Sequence, residues 1–306
     1  LQEIEKPVVT DEAVMVRVRA ASDNALDWHT VHGGRLVRMI AAVMRAPASP
    51  VRGADLAGEV VAVGKNVTRF QPGDEVFGTA RGTFAEYAAA KEGSLAPKPR
   101  GLSFAQAAAI PVAGITALQG LRDKGEVKRG ERVLVNGAGG GVGTFAVQVA
   151  KALGAHVTAV TGPNNVELIR SIGPDETLDR TQDDFATRGR EYDVIFDVAA
   201  DRPLADCRRA LTPTGRLVLA GAAKNGNLAI VGRLLEAVIR SRFEKRRFLP
   251  FMARVTSEDL LELKELIETG RIRPVIDREY QLSEGAEAVR YVGTGQARAK
   301  VVINVA

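Results

Sequence analysis

Residues 133–143 read VLVNGAGGGVG, an apolar strand-like run that enters a cluster of glycines and then a helix-like segment. The small residues align as Ala138-x-Gly140-x-x-Gly143, a dinucleotide-binding fingerprint with Ala in its first position. They let the backbone turn sharply, approach a pyrophosphate and pack the helix on the strand. We prefer this interpretation to an incidental glycine-rich turn because a second strand follows and ends near Val160. The predicted phosphate contacts are Ala138, Gly139, Gly140, Gly141, Val142 and Gly143, at a helix start whose N–H groups and dipole favour anions.

Strand-like and helix-like segments alternate around this loop. Ser103 and Gln106 stand at capping-box spacing, so a helix should begin there. Further strands are predicted at 132–136, 156–160, 193–197, 216–220 and 300–305, with helices at 142–153, 166–172 and 203–211 and a last helix between Thr256 and Gly270. The alternation predicts βαβ units on a parallel sheet, that is, an α/β domain.

The first 93 residues instead consist of strand and turn patterns. In residues 14–19, Val14, Val16 and Val18 alternate with Met15, Arg17 and Arg19, the period of two that is typical of a half-buried strand. Short apolar runs follow at 58–63, 75–78 and 84–90, separated by turn sequences such as Gln71-Pro72-Gly73-Asp74. We expect a small, mostly antiparallel barrel here.

Composition narrows the classes of function. The 306 residues are 45% hydrophobic and 26% charged with a formal charge of +5, which suits an anionic cofactor and does not imply nucleic acid. The basic run at 240–247 reads as a solvated helix end rather than a nucleic-acid or membrane patch. No stretch reaches the roughly 18 apolar residues of a membrane span. The single cysteine, Cys207, fits a reducing compartment, so we expect a cytoplasmic protein.

The end of the second strand of the α/β domain bears on the choice of cofactor. NAD-binding folds usually place Asp or Glu there to hold the ribose 2′-hydroxyl, whereas residues 160–165 read VTGPNN. Without a carboxylate, a 2′-phosphate is not repelled, and hydrogen bonds are available from Thr161, Asn164, Asn165 and Arg180. NADPH is therefore the favoured cofactor, with NADH as the alternative. For Arg180, the alternative is an exposed loop residue that contacts no cofactor.

The chain as a whole resembles the medium-chain dehydrogenase/reductase superfamily, most closely its zinc-independent quinone oxidoreductase (zeta-crystallin-like) branch. The resemblance is carried by residues 21–27, 52–58, 70–76, 111–118 and 136–143. It implies a GroES-like, mostly β catalytic domain at 1–111 and 249–306, a Rossmann domain with a doubly wound parallel sheet at 112–248, and an active site in the cleft. It also implies a homodimer or homotetramer.

Zinc-dependent members of that superfamily carry a Cys after the first barrel strand and a Gly-His-Glu motif. The corresponding positions here are Asn24 and residues 52–55, which read RGAD, so we expect no metal. Without a Lewis acid, alcohol oxidation loses its means of stabilising an alkoxide, whereas hydride addition to an activated alkene or quinone needs less help.

The resemblance also assigns individual roles. Asn24 matches an Asn near the nicotinamide, and His29 falls where many relatives carry a pocket Tyr, so these are the candidate catalytic residues. His29 would donate a proton or hydrogen bond to the developing oxygen; the alternatives are a plain pocket or surface residue, with solvent as proton source. Asp27 either orients Asn24 or caps the local turn, and Asp23 stands where relatives have an apolar residue.

Further cofactor contacts follow from the same resemblance, at Thr116, Ala199, Gly221 and Ala222. Residues 248–251 would wall the hydride site. Relatives often carry Lys, as a contact to the 2′-phosphate, where Asn165 stands. The leading hypothesis is an NADPH-dependent reductase of quinones or α,β-unsaturated carbonyls. The alternatives are a zinc-free alcohol dehydrogenase and a non-catalytic NADPH-binding structural or regulatory protein.

Overall fold

The computed structural model of the chain describes residues 1–25, 27–28, 51–189, 191–220 and 245–305. Residue contacts divide the chain into two units. The first unit comprises Leu1–Ile115, Arg254–Gly270 and Pro274–Ala306, and the second comprises Thr116–Ala253 and Arg271–Arg273. From the sequence, the boundaries were predicted between residues 111 and 112 and between residues 248 and 249, a few residues earlier than observed. The sequence did not indicate that residues 271–273 belong to the second unit.

The described elements run as follows. The strands are β1 (Ala13–Asp23), β2 (Asp55–Val63), β3 (Glu75–Thr79), β4 (Tyr87–Lys91), β5 (Leu95–Pro97), β6 (Arg132–Asn136), β7 (His156–Thr161), β8 (Glu176–Asp179), β9 (Tyr192–Asp197), β10 (Leu211–Leu219), β11 (Arg247–Pro250), β12 (Ile276–Gln281) and β13 (Lys300–Asn304). The α-helices are α1 (Phe104–Ala108), α2 (Pro111–Gln119), α3 (Gly141–Ala152), α4 (Val166–Arg170), α5 (Leu204–Ala210), α6 (Ser257–Glu268) and α7 (Gly285–Gly293). None of the described helices is long and apolar enough to cross a bilayer.

The first unit is built on a mixed sheet with strand order β12-β13-β1-β2-β3-β5, in which β4 also pairs with β1. All pairings are antiparallel except β12 with β13. In β1, Val16 and Val18 are buried while Arg17 and Arg19 are exposed, which confirms the predicted alternation at these positions. Met15, predicted to lie on the same face as Arg17 and Arg19, is buried as well. Residues 13–17 of β1 pair with β4 and residues 20–23 pair with β13. The carboxyl end of β1 therefore lies beside the start of the last strand.

The second unit is a six-stranded parallel sheet with order β11-β10-β9-β6-β7-β8. This is the doubly wound Rossmann order, because the chain moves outward from β6 in one direction and then returns to continue in the other. The central strands are buried and apolar at 133–135, 194–196 and 217–219, as expected where helices cover both faces of a parallel sheet. The predicted α/β domain is confirmed.

Several local predictions need correction. Helix α6 is capped by Thr256 as predicted, but it is not the last helix, because α7 follows. Helix α7 begins and ends with glycine, a weak helix former, and the pattern that buries Ala288 and Val289 between these glycines was not recognised in the sequence. The predicted strand at 84–90 begins only at Tyr87. Phe248, predicted to wall the hydride site, packs in the hydrophobic core of the second unit with 2% exposure.

Candidate functional site

The glycine-rich loop joins β6 to α3 and is held by the neighbouring strand. The backbone N–H groups of Gly137 and Ala138 donate to the carbonyl of Val160 at 3.1 and 2.9 Å. At Gly143 a Cβ atom would lie 2.1 Å from the carbonyl oxygen of Gly137, so only glycine fits where the helix meets the loop. This is the close packing that the third small residue of the fingerprint allows.

The amino terminus of α3 faces this loop. Gly140 is its N-cap residue and provides no side chain to accept a bond from the first turn. The first N–H groups of an α-helix have no partner inside the helix, and the dipole places partial positive charge there. The predicted contacts at 138–143 thus share one turn that is suited to an anionic ligand.

Two side chains lie against the loop, Thr161 from the end of β7 and Asn165 from the turn that follows this strand. A Cβ atom at Gly139 would lie 2.4 Å from Nδ2 of Asn165 and 2.5 Å from Oγ1 of Thr161. Oγ1 of Thr161 and Oδ1 of Asn165 are buried, and neither forms a hydrogen bond with the described part of the chain. Buried polar atoms are nearly always paired, so this pair indicates a place for a polar ligand. The residues present fit a bound dinucleotide.

Arg180 lies at the same end of the sheet. Its backbone N–H donates to the carbonyl of Thr161 at 2.9 Å, which anchors the residue beside β7. The guanidinium is exposed and approaches to 3.7 Å both Oδ2 of Asp201 and the position that a Cβ atom would take at Gly162. Asn164 is exposed nearby. The structure therefore brings Thr161, Asn164, Asn165 and Arg180 to one edge of the loop.

Ala199 adjoins the loop from the other neighbouring strand, β9. The N–H groups of Val198 and Ala199 donate to the carbonyl of Asn136 at 2.9 and 3.2 Å. Gly137 must be glycine because its Cβ atom would lie 2.9 Å from the backbone nitrogen of Ala199. Thr116 lies on α2 and is half-buried. Its predicted contact to a cofactor stays a prediction.

In the first unit, the predicted residue Asn24 belongs to a buried polar group at the end of β1. Nδ2 of Asn24 donates to Oδ2 of Asp55 at 2.9 Å, and Oδ1 of Asn24 accepts from Nζ of Lys300 at 2.8 Å. Oδ2 of Asp55 also accepts from Oγ of Ser22 at 2.7 Å and from Lys300 at 3.3 Å. We call Ser22, Asn24, Asp55 and Lys300 the Lys300 cluster.

Two further carboxylates adjoin this cluster. Oδ2 of Asp27 accepts the backbone N–H of Asn24 at 3.0 Å, so of the two predicted roles for Asp27 the structure displays the turn cap. Burial raises the pKa of the Asp23 carboxyl to about 7, with a further rise from the Asp27 carboxylate that the Lys300 ammonium opposes. Burial, with Asp55 adding to it, also raises the pKa of Asp27. Asp23, which departs from the apolar residue of relatives, is thus a buried acid.

Two members of the Lys300 cluster, Asn24 and Asp55, lie in the segments that the resemblance matches to the zinc-ligand positions of zinc-dependent relatives. Asp55 there is engaged by three side-chain donors and by the backbone N–H of Val112, which donates to Oδ1 at 3.0 Å. Within the described ranges, no group of three or more His, Cys, Asp and Glu side chains is arranged to hold a metal ion.

Some predicted residues lie outside the described part of the chain, namely His29, Gly221 and Ala222. Most of the basic run at 240–247 lies there too. Sequence reasoning missed Lys300 and Ser22 altogether. The available signal was slight: Lys300 is a single charge at the start of the apolar run 301–303, and such a lysine is usually exposed at a strand end.

Two sequence families match the chain. The alcohol dehydrogenase GroES-like domain matches residues 10–100, and the zinc-binding dehydrogenase family matches residues 172–303. A 2-methylene-furan-3-one reductase of Solanum lycopersicum is 32% identical, over 97% of this chain and 73% of its own length. A mitochondrial NAD(P)H oxidoreductase of Mus musculus is 32% identical, over 95% of this chain and 81% of its own.

A solved structure agrees over nearly the full length. The quinone oxidoreductase of Coxiella burnetii superposes with a TM-score of 0.86 at 29% identity, covering 99% of this chain and 93% of that one. Together with the parallel sheet, the glycine-rich loop and the GroES-like match, these likenesses extend over both units. The chain therefore belongs to the medium-chain dehydrogenase/reductase superfamily and, within it, to the quinone oxidoreductase branch of nicotinamide-dependent oxidoreductases.

Proposed function

We propose that this protein reduces quinones or α,β-unsaturated carbonyl compounds with NADPH and without zinc. The observation that carries the proposal is the pair of possible donors beside Gly139 of the phosphate-binding loop, the Oγ1 hydroxyl of Thr161 and the Nδ2 amide of Asn165. They stand at the strand end where an NAD-specific fold usually places a carboxylate. The choice of acceptor is supported by the relatives, one named a 2-methylene-furan-3-one reductase and another a quinone oxidoreductase.

Different residues of this chain would bind the pyrophosphate, the 2′-phosphate and the nicotinamide half of the cofactor. The backbone at 138–143 would hold the pyrophosphate, chiefly through the N–H groups of the first turn of α3, because the N–H groups of Ala138 and Gly140 already donate to the carbonyls of Val160 and Gly137. Thr161, Asn164, Asn165 and Arg180 would hold the 2′-phosphate. Ala199, Thr116, Gly221 and Ala222 would contact the nicotinamide half. When bound, NADPH supplies the hydride for the reduction.

Reduction of a conjugated acceptor places negative charge on its oxygen, which then takes a proton. Asn24 has a second amide N–H beyond the one bonded to Asp55, and we assign it a hydrogen bond to the nicotinamide carboxamide or to the acceptor oxygen. His29 would donate the proton, with solvent as the alternative source. Neither step requires a metal ion.

The test is NADPH oxidation by purified protein with a panel of quinones, enals and enones, repeated with NADH. We expect turnover with at least one acceptor class and a higher kcat/KM with NADPH. Absence of oxidation with the whole panel would overturn the proposal. Alcohol-dependent reduction of NADP without added metal would select the alcohol dehydrogenase alternative, and tight NADPH binding without turnover would select the binding protein.

A homo-oligomer and a cytoplasmic location complete the proposal. The resemblance supports a homodimer or homotetramer, and the single cysteine supports a reducing compartment. Light scattering on the eluting protein measures the mass of the assembly, and a monomer at micromolar concentration would contradict the first part.

A further inference from the structure

Lys300 is a buried ammonium whose hydrogen-bonding capacity is fully used. Its side chain is 3% exposed. Nζ donates to the backbone oxygen of Asp23 at 3.1 Å, to Oδ1 of Asn24 at 2.8 Å and to Oδ2 of Asp55 at 3.3 Å. An ammonium has three N–H donors and no acceptor, so these three oxygens satisfy it. The position is set by β13, whose residue Val301 pairs with Asp23 of β1.

The side-chain amide of Asn24 lies between two neighbours of opposite character. The oxygen and nitrogen ends of an asparagine amide have nearly the same shape, and their partners decide which way the group faces. The Lys300 ammonium can only donate, so the end that faces it must be the oxygen. The Asp55 carboxylate can only accept, so the end that faces it must be the nitrogen. Among the described residues, the second N–H of Nδ2 has no partner, so it remains for a ligand.

The same arrangement makes the orientation costly to reverse. A rotated amide would turn its NH2 group toward the ammonium and its oxygen toward the carboxylate, and two good hydrogen bonds would become two repulsive contacts. Asp55 is fully buried, and its charge is balanced by Lys300 within the cluster. Polar groups in such a low-dielectric setting interact strongly, both when paired and when opposed.

We propose that Lys300 is a positioning residue, which together with Asp55 locks the Asn24 amide so that it presents an N–H donor, and not an oxygen, to the bound cofactor or acceptor. The proposal rests on the proposed function only for the identity of that ligand. The lock is a property of the first unit. It is therefore open to measurement without turnover.

The first measurement reads the amide directly. Selective 15N labelling of asparagine gives side-chain amide signals, and the Asn24→Asp variant identifies that of Asn24. In the wild-type protein we expect the Asn24 amide proton that is bonded to Asp55 to exchange slowly with solvent, in contrast to the amide protons of exposed Asn164. Exchange as fast as that of Asn164 would overturn the lock, whether or not the protein reduces any acceptor.

The second measurement removes the lock while conserving charge balance. Lys300→Met alone leaves the Asp55 carboxylate unbalanced and is expected to unfold more readily, so it is combined with Asp55→Asn. In the double variant the residue at position 55 both donates and accepts, and nothing dictates the orientation of Asn24. We expect the Asn24 amide signal to shift and its exchange to accelerate. In an active enzyme, we also expect kcat/KM to fall by about 10- to 100-fold, the scale seen when partners that orient metal-binding side chains are removed.

The matched control is Lys65→Met, which removes an exposed lysine paired with Asp11 on the same unit. It should change neither the Asn24 signal nor kcat/KM. A folded double variant with the wild-type amide signal and wild-type kcat/KM would overturn the proposal. If wild-type protein shows the slow amide exchange but oxidises no NADPH, the lock stands and the proposed function fails, so the two are separable.

Discussion

Nζ of Lys300 lies 3.3 Å from Oδ2 of Asp55, and the two side chains are only 3% and 0% exposed. Breaking a buried ion pair by removing one partner leaves an uncompensated charge in a medium that solvates it poorly, at a cost of about 3–5 kcal/mol. We therefore expect Lys300→Met to lower the free energy of unfolding by that order. In urea titrations the double variant Lys300→Met/Asp55→Asn should recover most of the loss, because neither charge remains.

An exposed ion pair provides the comparison for the buried pair of Lys300 and Asp55. Lys65 and Asp11 lie 2.8 Å apart but are 73% and 60% exposed, and exposed pairs contribute little. Lys65→Met should leave the urea midpoint nearly unchanged. Equal destabilisation by Lys65→Met and Lys300→Met would show that burial of the Lys300 pair carries no special cost.

Asp23 predicts a pH dependence of stability. Burial raises the pKa of its carboxyl from 3.8 to about 7, so between these values the folded protein binds more protons than the unfolded chain. The free energy of unfolding therefore falls as pH rises through this window and levels off above it. Asp23→Asn removes the titration. We expect the variant to match wild type near pH 4 and to exceed it at pH 8 by about 1–4 kcal/mol.

The groups that face Asp23 shape this result. The Asp27 carboxylate raises its pKa and the Lys300 ammonium lowers it, and Asp27 itself has a raised pKa and titrates with the same sign. The stability of the Asp23→Asn variant should therefore keep some pH dependence, which comes from Asp27. Asp11→Asn, at an exposed site, is the control and should run parallel to wild type at every pH. Parallel curves for Asp23→Asn would refute the raised pKa.

Cofactor preference should respond to charge at the end of β7. Gly162 has φ −79°, which any residue adopts, and the position of its Cβ atom lies 3.7 Å from Nε of Arg180. An aspartate there would repel a 2′-phosphate and occupy Arg180, while it could accept a bond from a ribose hydroxyl. We expect Gly162→Asp to lower kcat/KM for NADPH by about 10-fold or more, the scale of one charge-assisted contact, with little loss for NADH.

Gly162→Ala separates charge from size, and it should leave the NADPH to NADH ratio close to that of wild type. Arg180→Ala should move the ratio in the same direction as Gly162→Asp by weakening NADPH alone. If Gly162→Asp and Arg180→Ala also keep the wild-type ratio of kcat/KM for NADPH to that for NADH, the 2′-phosphate does not bind at this edge of the loop.

The sequence predicted the parallel sheet and the phosphate loop because their causes are local. Apolar strand runs, the cap at Ser103 and the small residues at 138–143 all act within a few positions of one another. Thr161 and Asn165 could be predicted as cofactor contacts because the end of the second strand lies beside the adenine ribose in a dinucleotide-binding fold. The short strands β8 and β12 were not predicted because they are rich in polar residues and form by pairing with strands that are distant in the sequence.

The Lys300 cluster could not be predicted for the same physical reason. Lys300 and Asn24 are 276 positions apart in the chain, and only the pairing of β13 with β1 brings them together. Nothing in the residues around Lys300 indicates that its charge is buried. Asp55 was considered in the sequence only because it lies in the segment where zinc-dependent relatives carry a zinc ligand. Its hydrogen-bond partners come from β1, α2 and β13, which are too far apart in the sequence for a local pattern to connect them.

The phosphate loop makes the last prediction, which concerns close packing. A Cβ atom at Gly143 would lie 2.1 Å from the carbonyl oxygen of Gly137 and 2.7 Å from the carbonyl carbon of Ala138, both rigid backbone atoms. Gly143→Ala must therefore push α3 away from β6, with a cost of about 1–3 kcal/mol for an overpacked site. At Gly140 the nearest atom to a Cβ is 3.8 Å away, so Gly140→Ala should leave the melting temperature of the cofactor-free protein unchanged. Equal melting temperatures for the two variants would mean that the helix does not need to approach the strand this closely.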